Sequence, residues 1–341
     1  MGIVEQIHTA REAGYRMPAE WEPHERCWIQ WPDRNAFIWA DIEETQQAYA
    51  RVAQAVRRFE PVTMIVSPKS LDDARAKCGD AIDFMVMGLD DSWARDSGPN
   101  FVKRGDELAA SIYHFAAWGG KYPHIRNDAA VGHRVAEHLG IRTFTSNVVM
   151  EGGGINVDGE GTVLTSESCI LNENRNPGLT KSEAEQILCD SLGDEKVIWV
   201  PGDPDDVETD GHIDGIACFV RPGMVMCEVG SPDEPERCKS LRENLTALEK
   251  STDATGRKLE IVTIAEAVDV GATSDRFCRS YINFYIANGG IVFPSYDTAY
   301  DATAVGIVQS AFPDREIVTV DIRQIAEGGG GIHCITQQQP Q

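Results

Sequence analysis

The stretch GHIDGIACFVRPGMVMCEVG, residues 211–230, holds two short apolar runs in close succession, 212–220 and 224–229, which read as paired strands. Helical spacing follows at 241–251, with Leu241, Leu245 and Leu248 on one face, and then LEIVTI from 259 as a third strand. The unit is therefore strand, strand, helix, strand. Working outward, the same order recurs. Runs 147–157 and 162–165 precede a helix at 181–192, with Ile187, Leu188 and Leu192 on one face, and the strand KVIWV at 196. Runs 280–286 and 290–294 precede a helix at 302–312, with Val305, Val308 and Phe312, and the strand EIVTV at 316. The period is roughly 65 residues, an internal repeat.

Upstream, strands near 82–87 and 110–115 precede a helix at 127–139 carrying Val131, Val135 and Leu139. A fifth unit straddles the chain ends. There GIHCIT (331–336) would pair with RCWIQW (26–31), followed by the helix of Ile42, Tyr49, Val52 and Val56 and the strand PVTMIV at 61. Pairing the first strand with the last closes a ring and leaves no open sheet edge. The expected fold is a five-bladed α/β propeller of ββαβ units, one domain over residues 1–341. An ordinary open α/β sheet is the competing reading of the same pattern.

Composition bounds the function. Asp plus Glu outnumber Lys plus Arg by 54 to 31, for a net charge of -23, which repels nucleic-acid phosphates and anionic lipid while attracting cations. No apolar run approaches membrane-spanning or signal-peptide length, so a cytoplasmic protein is expected, with neither nucleic acid nor membrane as partner. The nine cysteines are odd in number and form no CxxC pair, which favours neither a disulfide framework nor a zinc cluster.

Glycine-bearing polar segments fall near the first strand of each unit: DDSWARDSGP at 90, EGGGIN at 151, GHIDG at 211, NFYIANGG at 283 and GGGGIHC at 328. In a ring these five segments converge. His212 and Asp214, two apart on a strand pattern, would face one way. Cys334 follows four glycines whose backbone can approach a ligand closely and turn amide groups toward a thiolate. Taken singly, each has a duller reading: HxD as a capped turn, Cys334 as a buried core thiol, Asp96 and Glu151 as loop carboxylates. Carboxylates raise the pKa of a thiol they surround, so together they suit a cationic substrate. A planar guanidinium can be gripped by two carboxylates from opposite edges, and its charge would promote the thiolate that attacks its carbon.

At these residues the sequence resembles the agmatine deiminases, of the guanidine-modifying superfamily that also holds peptidylarginine and arginine deiminases and amidinotransferases. The likeness runs through MPAEWEPH at 17, WP at 31, DDSWARDSGP at 90, EGGG and VDGEGT within 151–162, NENRNP at 172, ETDGHID at 208, SYINFYIANGG at 280 and GIHCITQQQP at 331. The resemblance implies Cys334 as nucleophile, His212 as general acid and base, Asp96 and Asp214 as guanidinium clamps, and Glu151 as the carboxylate supporting the histidine. It implies Trp93 stacked beside the substrate, Glu208 at the substrate's distal amine, and Asp90 and Arg95 also at the substrate. It further implies the five-bladed propeller, no cofactor and no metal, and a homodimer.

The sequence departs from the family pattern at Gly154, Asn156, Asp210, Gly215 and Gly331, and its 265–279 segment is short, lacking an insertion that agmatine deiminases carry near the site. These departures bear on which guanidine is taken. Amidinotransfer to an amine is the nearest alternative reaction. A metal hydrolase using His212, Asp214, Asp96 and Glu151, or a non-catalytic guanidine-binding protein, are readings of other classes.

Overall fold

The computed structural model describes residues 9–33, 39–230, 237–271 and 274–341. It contains five small sheets. Four have three strands: Asn100–Arg104, Glu107–His114 and Arg142–Val149; Ile155–Val157, Thr162–Ser166 and Lys196–Val200; Ala217–Arg221, Met224–Val229 and Glu260–Ala265; and Tyr285–Ala287, Gly290–Ser295 and Glu316–Asp321. In each, the first two strands form an antiparallel hairpin and the third adds in parallel. A parallel addition needs a crossover, and helices such as Lys181–Leu192 and Asp301–Ala311 supply it. The first of these is held at its start by a Thr180/Glu183 capping box and stops at Gly193, which takes the left-handed conformation.

The fifth sheet is built from both chain ends. Thr336–Pro340 pairs antiparallel with His24–Gln30, with Ile29 opposite Thr336, and Val62–Val66 adds in parallel beyond it. The ring is therefore closed as the repeat predicts, an α/β propeller. Val62–Val66 is buried throughout, which is why it reads as an unbroken apolar run. Its crossover helix, Ile42–Arg57, is capped by Asp41 and buries Tyr49, Val52 and Val56.

Three expectations are corrected. The strand near 82–87 is Asp83–Val86, and it joins the edge of the end-closing sheet beside Val62–Val66; the second unit opens at Asn100–Arg104. The 147–157 run is two elements. Arg142–Val149 closes the second blade, and Ile155–Val157 opens the third after the turn of residues 152–154. Finally, the segment 212–216 is not strand. Ile213–Gly215 is one 3₁₀ turn, with strand beginning at Ala217, and likewise Ile332–Ile335 is a helical turn ahead of Thr336–Pro340. Apolar alternation could not separate a strand from the turn leading into it, because both bury the same residues.

Among the described residues, no helix is long and apolar enough to cross a membrane.

Candidate active site

Each blade's first strand is preceded by a short turn, and these turns meet at the centre. They are Ala94–Ser97, Gly152–Gly154, Ile213–Gly215, the segment before Tyr285–Ala287, and Ile332–Ile335. Hydrogen bonds join neighbours around the axis. Gly153 N donates to Asp96 Oδ1 at 3.1 Å, Asn283 Nδ2 to the Asp214 carbonyl at 3.3 Å, His333 N to the Asn283 carbonyl at 3.2 Å, and Arg95 Nε to the His333 carbonyl at 3.4 Å. Residues far apart in sequence are thus tied to each other by hydrogen bonds that each involve at least one backbone group.

Cys334 sits at this centre, buried but lining a narrow cavity with Asp91, Trp93, Asp96, Trp118, Tyr122 and Glu208. Its Sγ lies 3.5 Å from Asp214 Oδ2 and receives a hydrogen bond from Asn283 Nδ2 at 3.2 Å. Burial, then the charges of Asp214 and Asp96, push the thiol well above its ordinary range, opposed by a backbone amide of Gly331. Burial and these carboxylates therefore favour the neutral thiol. A Cβ on Gly330 would fall 2.4 Å from the Trp93 ring, so the glycine run lets the backbone close over that indole.

His212 is held by Glu151 and faces Asp96. Its Nε2 lies 3.2 Å from Glu151 Oε2, while Nδ1, 3.7 Å from Asp96 Oδ1, has no hydrogen-bond partner among the described residues. Burial disfavours its charge, but Asp96, Cys169 and Glu151 outweigh burial and hold the imidazole well above its ordinary pKa. Gly153 is required beside it: a Cβ there would meet His212 Nδ1 at 2.5 Å and Asp96 Oδ1 at 2.8 Å. Glu151 itself is fully buried and kept below the ordinary carboxylate range, against burial, by Arg175 and His212; Arg175 Nε donates to Glu151 Oε2 at 2.8 Å.

The two clamp candidates differ in environment. Burial raises Asp96 to about 6, with His212 pulling it down and Asp214 and Glu151 pushing it up. Its Oδ2 accepts from Trp118 Nε1 at 2.9 Å. Asp214 lies below its ordinary value in spite of burial, because His333 Nδ1 sits 2.9 Å from its Oδ2. His333 Nε2 in turn lies 2.9 Å from Glu20 Oε2, so one imidazole bridges two buried carboxylates. Glu20 is lowered to about 2; burial opposes this, and the charge and hydrogen bond of His333 overcome it.

The structure brings Cys334, His212, Asp96, Asp214, Glu151, Trp93 and Glu208 together, and leaves Asp90 and Arg95 out of the cavity wall. Asp90 spends its carboxylate on the Arg126 and Asn127 amides, both at 2.6 Å, and on Asn127 Nδ2 at 2.8 Å. Arg95 is 2 % exposed and lies beneath the site, its charge acting on Glu20, Asp214 and His333. Besides Asp96, the carboxylate of DDSWARDSGP that reaches the cavity is Asp91, raised to about 7 by burial. Glu208 accepts from Tyr122 Oη at 2.5 Å, and both line the cavity.

Roles for Asn283, Arg175 and His333 were not assigned from sequence, although all three lie in motifs quoted above. Trp118 and Tyr122 lie outside those motifs; their only signal is an aromatic pair around two glycines. Ala117 and Trp118 adopt positive φ, 51° and 55°, and Gly119 and Gly120 continue the run; this strained turn aims the indole at Asp96. The metal reading fares poorly. Among the described residues, the potential ligand atoms that cluster within 4.8 Å belong to Glu151, Cys169 and His212, without Asp96 or Asp214, and the Arg175 cation on Glu151 opposes a metal there.

Comparison with known proteins gives a consistent family. The model for the Porphyromonas-type peptidyl-arginine deiminases matches residues 16–340. The agmatine deiminase of Pseudomonas aeruginosa is 42% identical over 361 residues, covering 97% of each chain. Among solved structures, the agmatine deiminase of Enterococcus faecalis superposes with a TM-score of 0.93 at 35% identity over 98% of both chains. A cysteine-to-serine variant of the C. jejuni agmatine deiminase, with substrate bound, gives 0.86 at 27% identity over 96% of both.

Proposed function

Because the chain belongs to the Porphyromonas-type peptidyl-arginine deiminase family, we propose that it hydrolyses the guanidino group of agmatine, giving N-carbamoylputrescine and ammonia. The observation that carries this reading is one sulfur, Cys334, beside Asp214 and in the same cavity as Asp96, with an imidazole and its supporting carboxylate next to them.

A guanidinium seated between Asp96 and Asp214 places its carbon over Cys334 and its charge beside the sulfur. That cation offsets the carboxylates that keep the thiol neutral, so the nucleophile is generated by binding. The thiolate attacks the carbon, and protonated His212 gives its proton to the departing nitrogen. Neutral His212 then takes a proton from the water that hydrolyses the thiouronium, and the thiol is restored. Nδ1 is the acting atom, since Nε2 is committed to Glu151. The raised proton affinity of His212 suits the first half-reaction, and the thiouronium, which keeps the positive charge, favours the neutral imidazole needed as base in the second.

Agmatine is favoured over arginine by charge. Glu208 and Asp91 line the same cavity as Cys334, where they attract a terminal ammonium and repel an α-carboxylate. Trp93 and Trp118 flank the aliphatic stem between. The pairing of the last strand with the first supports reading the whole chain as one domain. The homodimer implied by the family likeness is checked by light scattering in solution.

Cys334→Ala should bind agmatine but release no ammonia. Retained ammonia release would remove the sulfur as nucleophile, and dependence of turnover on an added amine would replace hydrolysis by transfer.

A further inference from the structure

Cys334 belongs to two cavities. The second is partly open to solvent and reaches the sulfur past His212, Asp214 and Gly215. Thr209 and Gly329 line both and form the partition between them. Behind the partition, Glu208 Oε1 approaches Arg276 Nε at 3.4 Å, and Gly329 is packed so closely on Glu208 that a Cβ would lie 2.7 Å from its Cγ. The first cavity, with its two tryptophans and Glu208, is the one suited to the substrate's stem. The second has no part in holding that stem.

The two clamps divide between these spaces: Asp96 lines the first and Asp214 the second. A guanidinium held by both spans the junction, so one of its terminal nitrogens faces the second cavity. His212 also lines that cavity, and its Nδ1, which has no hydrogen-bond partner among the described residues, lies 3.7 Å from Asp96 Oδ1, at the junction between the two clamps. A guanidinium nitrogen at this junction takes its proton and departs toward the second cavity. Beside Asp214, a Cβ built on Gly215 meets nothing within 4 Å, and the Gly215 backbone is not left-handed, so the space next to the departing nitrogen is open.

We infer that this second cavity is a leaving-group port with room for a substituent on the departing nitrogen, so that the enzyme takes N,N′-disubstituted guanidines and expels a primary alkylamine. The inference rests on the deiminase reading above. The balance is the same as for agmatine. The Sγ–C bond forms, the bond from carbon to the alkylated nitrogen breaks, and His212 supplies the proton that lets the amine leave. Water then displaces sulfur from the thiouronium, giving the same ureido product and an alkylammonium in place of ammonium. Asp203, Asp205, Asp206 and Asp275 on the port wall select against arms ending in a carboxylate.

The test compares agmatine with its N′-ethyl derivative, using the full chain and mass spectrometric identification of products. Ethylamine with N-carbamoylputrescine is expected from the ethyl compound. In Gly215→Leu the ratio of ethyl-compound to agmatine kcat/KM should fall at least tenfold, whereas Gly215→Ala should leave it within about twofold. Because the ratio is taken within one preparation, a smaller folded fraction cancels. Release of ammonia with an N-ethylureido product, refusal of the ethyl compound by an enzyme that processes agmatine, or an unchanged ratio in Gly215→Leu would each overturn the port. If neither guanidine is processed, the deiminase reading fails and the port falls with it.

Discussion

Asp96→Asn should inactivate the enzyme and yet make it more stable at neutral pH. In the empty site burial holds the Asp96 carboxyl at about 6, above the usual value near 3.8. The folded state therefore binds this proton more tightly than the unfolded chain. Its contribution to stability is fully present below about pH 4 and is lost as pH rises through 6. A difference of about two pH units at 1.36 kcal/mol each makes the ionised carboxylate cost about 3 kcal/mol at pH 7.5. Asparagine is isosteric, carries no charge, and its carbonyl oxygen can still accept from either Trp118 Nε1 or Gly153 N. It should therefore recover most of that cost, raising the thermal midpoint by a few degrees at pH 7.5 and by nothing at pH 4. The assay is thermal unfolding of wild type and variant across pH 4–8, without substrate, alongside ammonia release. A variant less stable than wild type at pH 7.5, or a gain independent of pH, would show that Asp96 is not held in an unfavourable ionised state and that the site does not store free energy for a cation.

Further outcomes follow from the same geometry. Gly153→Ala would push a methyl against His212 Nδ1 and Asp96 Oδ1, so kcat should fall by about 10²-fold or more while the fold is kept, as read by steady-state rates and circular dichroism. Glu151→Gln removes a charge that raises the proton affinity of His212, so the basic limb of kcat should move to lower pH; the pH–rate profile checks this. Glu151 also contributes stability that is present above the ordinary carboxyl pKa and lost as pH falls through its depressed folded value, so the variant's destabilisation, about 3–5 kcal/mol for a broken buried pair, should shrink at acid pH. His333→Ala strands the Glu20 and Asp214 carboxylates and should cost a similar amount, with KM for agmatine rising because Asp214 loses the partner that orients it.

The sequence alone determined the repeat and the ring closure through the chain ends, and it marked the motifs from which the candidate site is assembled. Apolar runs at a fixed order need only local chemistry to be read, and the motifs around Cys334, His212, Asp96, Asp214 and Glu151 carried the family likeness. What it could not place were partners whose meaning depends on direction. His333 is one residue from the nucleophile, yet its ring turns away to bridge Glu20 and Asp214; Arg95 is one residue from a clamp, yet points beneath the site. Neighbours on a helical turn face different ways, so adjacency in sequence does not give shared surroundings. The premise that His212 and Asp214 share a face as strand residues was mistaken, and they meet Cys334 because a 3₁₀ turn flanked by Gly211 and Gly215 carries them to the axis. Trp118, the division of the two clamps between separate cavities and the open space beside Gly215 were decided only by tertiary structure. Each is set by how blades from distant parts of the chain close upon one another, which no local pattern encodes.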